Sequence, residues 1–321
     1  MQQIKEVTLK DLKPAKFIEE KCAEISKAVG RGLAVNALSG GVDSSAVTML
    51  AHKALGKRLK TYFIDNGIMR EGEPQAVVAL FRKLGVEVEL VNAQDEFFSA
   101  LAGVLDPEEK RQAITNTFYK GVFGRLVRES GAKHLLQGTI YTDVEETVAG
   151  IKRQHNILAQ LGINTEEAYG YTVLEPVIEL RKPAVRVLAK ALGRPKSTYE
   201  RSPFPGPALV ARCIGPVNRE RIAIVRKATA IVEKVLKGKG FQCMAILHDD
   251  RVTGITGGKR NFGYQIEVRC WDTADCVAAT PTRLPWTTLE KLGKMLPAAM
   301  PDVVSVTYNI TRKPPSTMEA I

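Results

Sequence analysis

Ser39, Gly40, Gly41, Asp43, Ser44 and Ser45 follow the mostly apolar stretch from Leu33 to Ala37 and lead into Val47, Thr48, Met49 and Leu50. Two adjacent glycines at a strand-to-helix bend let backbone N–H groups ring an oxyanion, and serine hydroxyls add donors. The natural guest is an anion such as a phosphate. The loop is neither GxxxxGK followed by Ser or Thr nor GxGxxG, so γ-phosphate hydrolysis and dinucleotide binding both lose support. Asp43 inside the loop, Asp65 after "YFI" and Asp143 after "QGTIYT" each stand just past an expected strand end. Aspartate also caps helices and forms turns, but three at one sheet edge, where ligands of such sheets gather, are harder to dismiss as caps.

The elements that must hold these groups alternate. Helical periodicity over 17–30 ends at Gly30, and a strand over 33–38 meets the loop, whose helix runs to about Leu55. Strand 60–65, helix 73–85, strand 86–93, helix 107–131 and strand 134–140 follow, then strand 172–180 and helix 183–193. Such alternation predicts an α/β fold, a parallel sheet with helices on both faces, with ligands gathered beyond the carboxyl ends of its strands. Residues 149–172 read as a flap over the site and "RPKSTYERSPFPGPALVAR" as a linker or binding loop. Helix 219–237, strands near 243–248 and 262–270, helix 287–299 and strand 303–310 predict a smaller α+β domain. The expected division is 1–198 and 199–321.

Composition bounds the function. The 321 residues, 45% hydrophobic and 25% charged, suit two ordinary globular domains. Neither a membrane-spanning apolar stretch nor a signal peptide is apparent, which predicts a soluble, cytoplasmic protein with no membrane partner. Five cysteines without CxxC spacing suggest neither a disulfide framework nor a zinc ribbon. The net charge of +11 is uneven, with 18 basic and 10 acidic residues from 201 onward. That excess suits a phosphorylated small molecule or a basic solvated face, and without basic runs or interleaved aromatics nucleic acid is disfavoured.

The run SGGVDS, Ser39 to Ser44, resembles the loop of the N-type ATP pyrophosphatases, also called PP-loop proteins, and the resemblance extends along the chain. The segments "FIDNGIMREGE", "SALAGVLDPEEKR", "LLQGTIYTDVEET", "IKRQHN", "LEPVIELRKPAVR", "RSPFPGPAL" and "ITRKPPSTMEAI" stand in the order of the ATP-pyrophosphatase and dimerisation portions of GMP synthetase. The resemblance implies an adenine nucleotide α-hydrolase-like first domain and a second domain that dimerises and binds the acceptor. The implied reaction is adenylation of the C2 oxygen of XMP by ATP, with pyrophosphate leaving, then attack by ammonia to give GMP and AMP. It implies ATP and Mg²⁺ as cofactors, a homodimer, and a separate glutamine amidotransferase subunit as the ammonia source.

Residue by residue, the family pattern assigns Ser39, Gly40, Gly41, Asp43, Ser44 and Ser45 to pyrophosphate, Asp43 and Asp143 to the metal, and Asp65 to the adenosine pocket. Lys152 and Lys182, in "IK" and "RK" contexts, join Asp43 as catalytic residues. Arg212, Arg260, Lys313, Thr317 and Glu319 are the expected acceptor ligands. His155 invites a general-base reading, but ammonia needs little activation, and His52, His134 and His248 lack metal-ligand spacing. The chain departs from the family pattern at Ser202, at Ala208 where a glycine is usual, in "GGKRNF" and in the final Ala320 and Ile321. Two other functions fit the same loop: a paralogous ATP pyrophosphatase acting on a different carbonyl-containing acceptor, and a nonenzymatic nucleotide-binding protein.

Overall fold

The computed structural model describes residues 4–148, 171–195, 204–274 and 277–320. The chain forms two compact units: Met1–Asp65 with Pro74–Asn92 and Phe118–Arg201, and Asn66–Glu73 with Ala93–Thr117 and Ser202–Ile321.

The first unit is built on a five-stranded sheet of order β3-β2-β1-β4-β5, with β1 Ala34–Ala37, β2 Leu59–Asp65, β3 Val88–Asn92, β4 His134–Leu136 and β5 Thr172–Leu174. Every pairing is parallel, with Ala34 opposite both Leu59 and His134. Central strands covered on both faces read as nearly continuous apolar runs, and β2 buries Leu59, Tyr62, Phe63 and Ile64. Helix α1 (Pro14–Val29) starts with proline at its first turn, where a missing N–H costs nothing, and ends at Gly30. Its apolar face, Phe17, Ile18, Ile25 and Val29, joins one core with Val47 and Leu50 of α2 (Val42–Leu55). Val185 and Leu188 of α8 (Lys182–Ala191) complete that core. Helix α3 (Glu73–Lys83) links β2 to β3.

Three local expectations change. The strand expected over 172–180 stops at Leu174, because Pro176 cannot donate to a ladder and Ile178 N–H turns back to the Glu175 carbonyl at 3.2 Å. The helix expected over 107–131 is α5 (Pro107–Asn116), a π-helical turn over Thr117–Phe123, and α6 (Gly124–Ser130). An unpredicted helix, α4 (Gln94–Leu101), buries Phe97 and Leu101.

In the second unit, β6 (Gln242–Thr256) and β7 (Lys259–Asp272) form a long antiparallel hairpin, with β8 (Thr280–Pro281) and the parallel β9 (Val303–Tyr308) also pairing with β7. Helix α9 (Arg219–Val235) starts where the Asn218 side chain accepts from Arg221 N–H at 2.9 Å, and buries Ile222, Val225 and Val232. Helix α10 (Trp286–Ala299) buries Leu292 and Leu296. Cys243 and Cys270 stand opposite each other in the hairpin register and are disulfide-bonded. Sequence spacing gives no sign of this pair, because hairpin register brings it together.

Candidate functional site

The glycine–serine loop opens into the first turn of α2. Gly40 adopts a φ of 79°, a left-handed value glycine takes without a Cβ clash. Gly41 is the N-cap residue. The hydroxyls of Ser39 and Ser44 lie 2.8 Å apart, and Ser39 N–H donates to the Ser44 hydroxyl at 3.2 Å, so the loop closes on itself. The first N–H groups of an α-helix have no intrahelical acceptor and carry the positive end of its dipole. Ser45 is wholly buried, and its hydroxyl has no hydrogen-bond partner among the described residues.

Asp43, in that first turn, binds Lys182 Nζ through Oδ2 at 2.8 Å. Its Oδ1 is buried and has no hydrogen-bond partner among the described residues. Lys182 is the first residue of α8, where a cation opposes the helix dipole. A residue that breaks the local rule yet reaches a loop carboxylate is placed for a function beyond its own helix. The Lys182 side chain as a whole remains half exposed.

Asp143 lies in the first turn of α7 (Tyr141–Val148) and accepts from Ile140 N–H through Oδ2 at 3.0 Å. Gly138 brings the β4 loop against α2: a Cβ there would sit 2.9 Å from Ser44 N and 3.1 Å from the Asp43 carbonyl carbon. Only glycine permits that approach without moving the glycine–serine loop. Thr139 Oγ1 donates to Glu175 at 2.5 Å. Burial pushes the Glu175 carboxyl above its ordinary range, the Thr139 bond partly offsets this, and the Asp143 charge adds to the rise.

These groups share a cavity of about 270 Å³, lined by Ser39, Gly41, Asp43, Ser44, Gly138 and Asp143, with Phe118, Tyr119 and Phe123 of the π-helical turn. It opens beyond the carboxyl ends of β1 and β4, where the strand order 3-2-1-4-5 reverses direction. That switch point is where open α/β sheets bind ligands. Burial, then the charges of Tyr171 and Asp143, pushes the Tyr119 phenol well above its usual range. Asp65 ends β2 and does not line this cavity. Lys152 and His155 lie outside the described residues.

The expected acceptor ligands fall in the second unit and separate there. Arg212, wholly buried, makes a two-point contact with Glu319: Nε to Oε2 at 3.1 Å and Nη2 to Oε1 at 3.2 Å. Phe204 stacks on the Arg212 guanidinium at 4.8 Å, and Gln242 Nε2 donates to Glu319 at 2.9 Å. The tail is further held through its carbonyls, Thr317 O by Arg269 at 2.9 Å and Met318 O by Trp271 Nε1 at 3.2 Å. Lys313 bridges to Ala279 through the backbone in both directions.

Behind Arg269 stands Glu267, which accepts from Arg269 Nε at 2.6 Å and contacts His248 Nε2 at 2.7 Å. Burial alone would raise the Glu267 carboxyl; the bonds to His248 and Arg269 reverse the sign and hold it below its ordinary range. Arg260 stands exposed at the hairpin tip beside Phe262, whereas Gln242 and Trp271 pair at its base. At about 3.4 Å per residue, Arg260 is roughly 37 Å of strand away from that base. Ala208, where the family pattern has glycine, adopts a φ of 54° while buried.

The sequence reading missed Phe118, Tyr119, Gly138, Gln242, Arg269 and Trp271. A glycine just past β4 was a visible signal for Gly138. The others sit inside ordinary helical or strand patterns, and no local feature marks them.

Fold and cavity define a class: a PP-loop α/β unit, with its ligand space at the sheet's switch point, joined to a small α+β unit. Two family models match the chain, NAD synthase over residues 15–206 and GMP synthase C terminal domain over 229–320. A GMP synthase (glutamine-hydrolyzing) subunit of Pyrococcus furiosus is 42% identical over 308 residues, covering 95% of this chain and 96% of the relative. The subunit of the same name from Archaeoglobus fulgidus is 44% identical over 305 residues, 95% of this chain and 98% of the relative. The GMP synthase (glutamine-hydrolyzing) of Aeropyrum pernix is 41% identical over 96% of this chain, which spans 61% of that relative. The chain belongs to the GMP synthase family.

Proposed function

We propose that this protein aminates XMP to GMP at the expense of ATP, a ligase reaction forming a C–N bond and releasing AMP and pyrophosphate. The observation that carries the reading is the convergence of the serine–glycine loop, the Asp43–Lys182 pair and Asp143 around one cavity at the switch point. The xanthine C2 oxygen attacks the α-phosphorus and the α–β bridging bond breaks to pyrophosphate. Ammonia then adds at C2, loses a proton, and AMP departs with the former C2 oxygen.

The pyrophosphate end of ATP rests on the loop amides and the hydroxyls of Ser39, Ser44 and Ser45, with Gly40 and Gly41 allowing close approach. Lys182 supplies positive charge as the leaving group develops, and its half-exposed side chain has room to move from Asp43 to a phosphate oxygen. Lys152 is the second cation in this reading. The buried Oδ1 of Asp43, left over from the Lys182 pairing, and the carboxylate of Asp143 suit Mg²⁺, which takes one or two carboxylates and completes its shell with phosphate and water. Held there, the ion would supply positive charge to the departing pyrophosphate. Asp65, at the end of β2, is assigned to the adenosine side.

Residues 1–198 would carry the ATP chemistry, and 199–321 acceptor binding and dimerisation. Arg212, Arg260, Lys313, Thr317 and Glu319 are the acceptor ligands in this reading. Arg212 and Glu319 bind each other, so the acceptor either meets a tail they have already fixed or exchanges with their pairing. A homodimer is supported by apolar side chains exposed on the second unit, Ile255, Phe262 and Ile310; a monomer at micromolar concentration in sedimentation velocity contradicts it. The names of the relatives support a separate glutaminase subunit as the ammonia source. Among the described residues no helix is long and apolar enough to cross a membrane, and we place the protein in the cytoplasm.

The test is formation of AMP, pyrophosphate and GMP from Mg²⁺·ATP, XMP and ammonium chloride, with each component omitted in turn. GMP formed one for one with AMP is the expected result. AMP formed without GMP overturns the assignment of XMP as acceptor.

A further inference from the structure

Glu267, Arg269 and Trp271 stand at alternate positions of β7, and Ile246, Met244 and Gln242 of β6 stand opposite them in register. Side chains two apart on a strand share a face, as do directly opposed ones on an antiparallel neighbour, so these six make one face of the hairpin. The C-terminal segment 317–320 lies across it. Met318 and Ala320 pack on the cluster of Met244, Ile246 and Trp271, while Gln242 reaches the Glu319 carboxylate and Trp271 the Met318 carbonyl.

Arg269 is the hub of that contact. Its Nη1 donates to the carbonyls of Thr317 at 2.9 Å and Glu319 at 3.3 Å, and its Nε donates to Glu267 at 2.6 Å. Glu267 is fixed in turn by His248 Nε2 at 2.7 Å. The Arg269 and Glu267 side chains are each 12% exposed. A pair so withdrawn from water adds little stability over two apolar residues of similar volume, so packing alone does not explain it. An apolar pair cannot aim N–H groups at two chosen carbonyls, whereas a guanidinium fork does so in fixed geometry. Contacts to carbonyls also hold the backbone whatever side chains the tail carries, which suits a tail that departs from the family pattern at Ala320 and Ile321.

We propose that Arg269 is a positioning residue for the acceptor: held by Glu267, it fixes the backbone at Thr317 and Glu319 in the position from which the tail binds XMP, given the reading of those two residues as acceptor ligands. It acts through the tail, and its effect is on acceptor binding rather than on ATP.

The experiment is steady-state GMP formation by the full chain, with XMP varied at saturating Mg²⁺·ATP and ammonium chloride, then with Mg²⁺·ATP varied at saturating XMP. Wild type is compared with Arg269→Met and Arg269→Lys, and hydrogen exchange of the C-terminal peptide is followed in each. Loss of the bonds from a charged donor is expected to raise the KM for XMP about tenfold or more in Arg269→Met, with the KM for Mg²⁺·ATP within about twofold of wild type and faster exchange in the tail. Arg269→Lys keeps a charge beside Glu267 and one donor, and should recover part of the loss. Should Arg269→Met fail to fold, Glu267→Gln, which keeps the side-chain volume and weakens the hold on Arg269, is expected to raise the KM for XMP about threefold. An unchanged KM for XMP overturns the proposal even where kcat or the unfolding midpoint falls, since that pattern marks a merely structural role. Equal rises for XMP and Mg²⁺·ATP, or tail exchange equal to wild type, overturn it as well. Wild-type protein that forms no GMP from XMP overturns the acceptor reading and the inference with it.

Discussion

Truncating Glu319 to alanine tests the tail most directly. Glu319 accepts two bonds from Arg212 and one from Gln242, and its side chain is 21% exposed against 1% for Arg212. Removing one member of a buried ion pair typically costs about 3–5 kcal/mol, because the other charge stays desolvated and uncompensated. Partial exposure of Glu319 and the Phe204 ring on the guanidinium reduce this to about 2–4 kcal/mol. For a unit of roughly 150–250 residues each kcal/mol shifts the melting midpoint by about 2–4 °C, so a fall of about 4–16 °C is expected. Urea denaturation followed at a probe in the second unit gives the free energy. The double variant Arg212→Met, Glu319→Leu should recover most of the loss, since an apolar pair carries no stranded charge. A loss below about 1 kcal/mol in Glu319→Ala, or no recovery in the double variant, would refute the claim that the pair anchors the tail.

Three further outcomes follow from the geometry. Gly138→Ala pushes a methyl into the α2 backbone at Ser44 and Asp43; displacement of a packed loop costs about 1–3 kcal/mol, read as a tenfold or greater rise in the Kd for Mg²⁺·ATP. Asp43→Ala removes both the Lys182 partner and the orphaned Oδ1, and pyrophosphate release in a coupled assay should fall by about a hundredfold or more; near-normal release contradicts the metal role. Glu267 has its pKa lowered in the folded protein, so the unfolded chain binds that proton more tightly. Its contribution is complete above the ordinary carboxylate range and is lost as pH falls through and below that range. Denaturation curves between pH 3 and 6.5 should therefore show a shallower acid slope for Glu267→Gln than for wild type, and equal slopes would remove His248 and Arg269 as its partners.

Local chemistry fixes what the sequence settles alone. The order of strand, loop and helix around Ser39–Ser45 follows from apolar periodicity and two glycines, and the parallel sheet follows from the alternation, because a parallel pair needs a crossover. Asp43 in the first turn of α2 and Asp143 in that of α7 could be assigned to the ligand edge because side chains just past strand ends gather there in any such sheet.

Tertiary structure decided the partners. Lys182 reaches Asp43 across 139 positions and Arg212 reaches Glu319 across 107, separations over which no periodicity carries information. The pairing of Cys243 with Cys270 depends on a hairpin register. Phe118 and Tyr119 belong to what reads as uninterrupted helix, and only the π-turn, a change in hydrogen-bond ring size invisible to apolar spacing, turns them toward the cavity. Arg212 shows the division most plainly: its type and motif suggest a ligand for an incoming phosphate, and only the fold reveals that it is completely buried and already paired with the Glu319 carboxylate. Burial sets the cost of an unpaired charge, and burial is a property of the assembled chain.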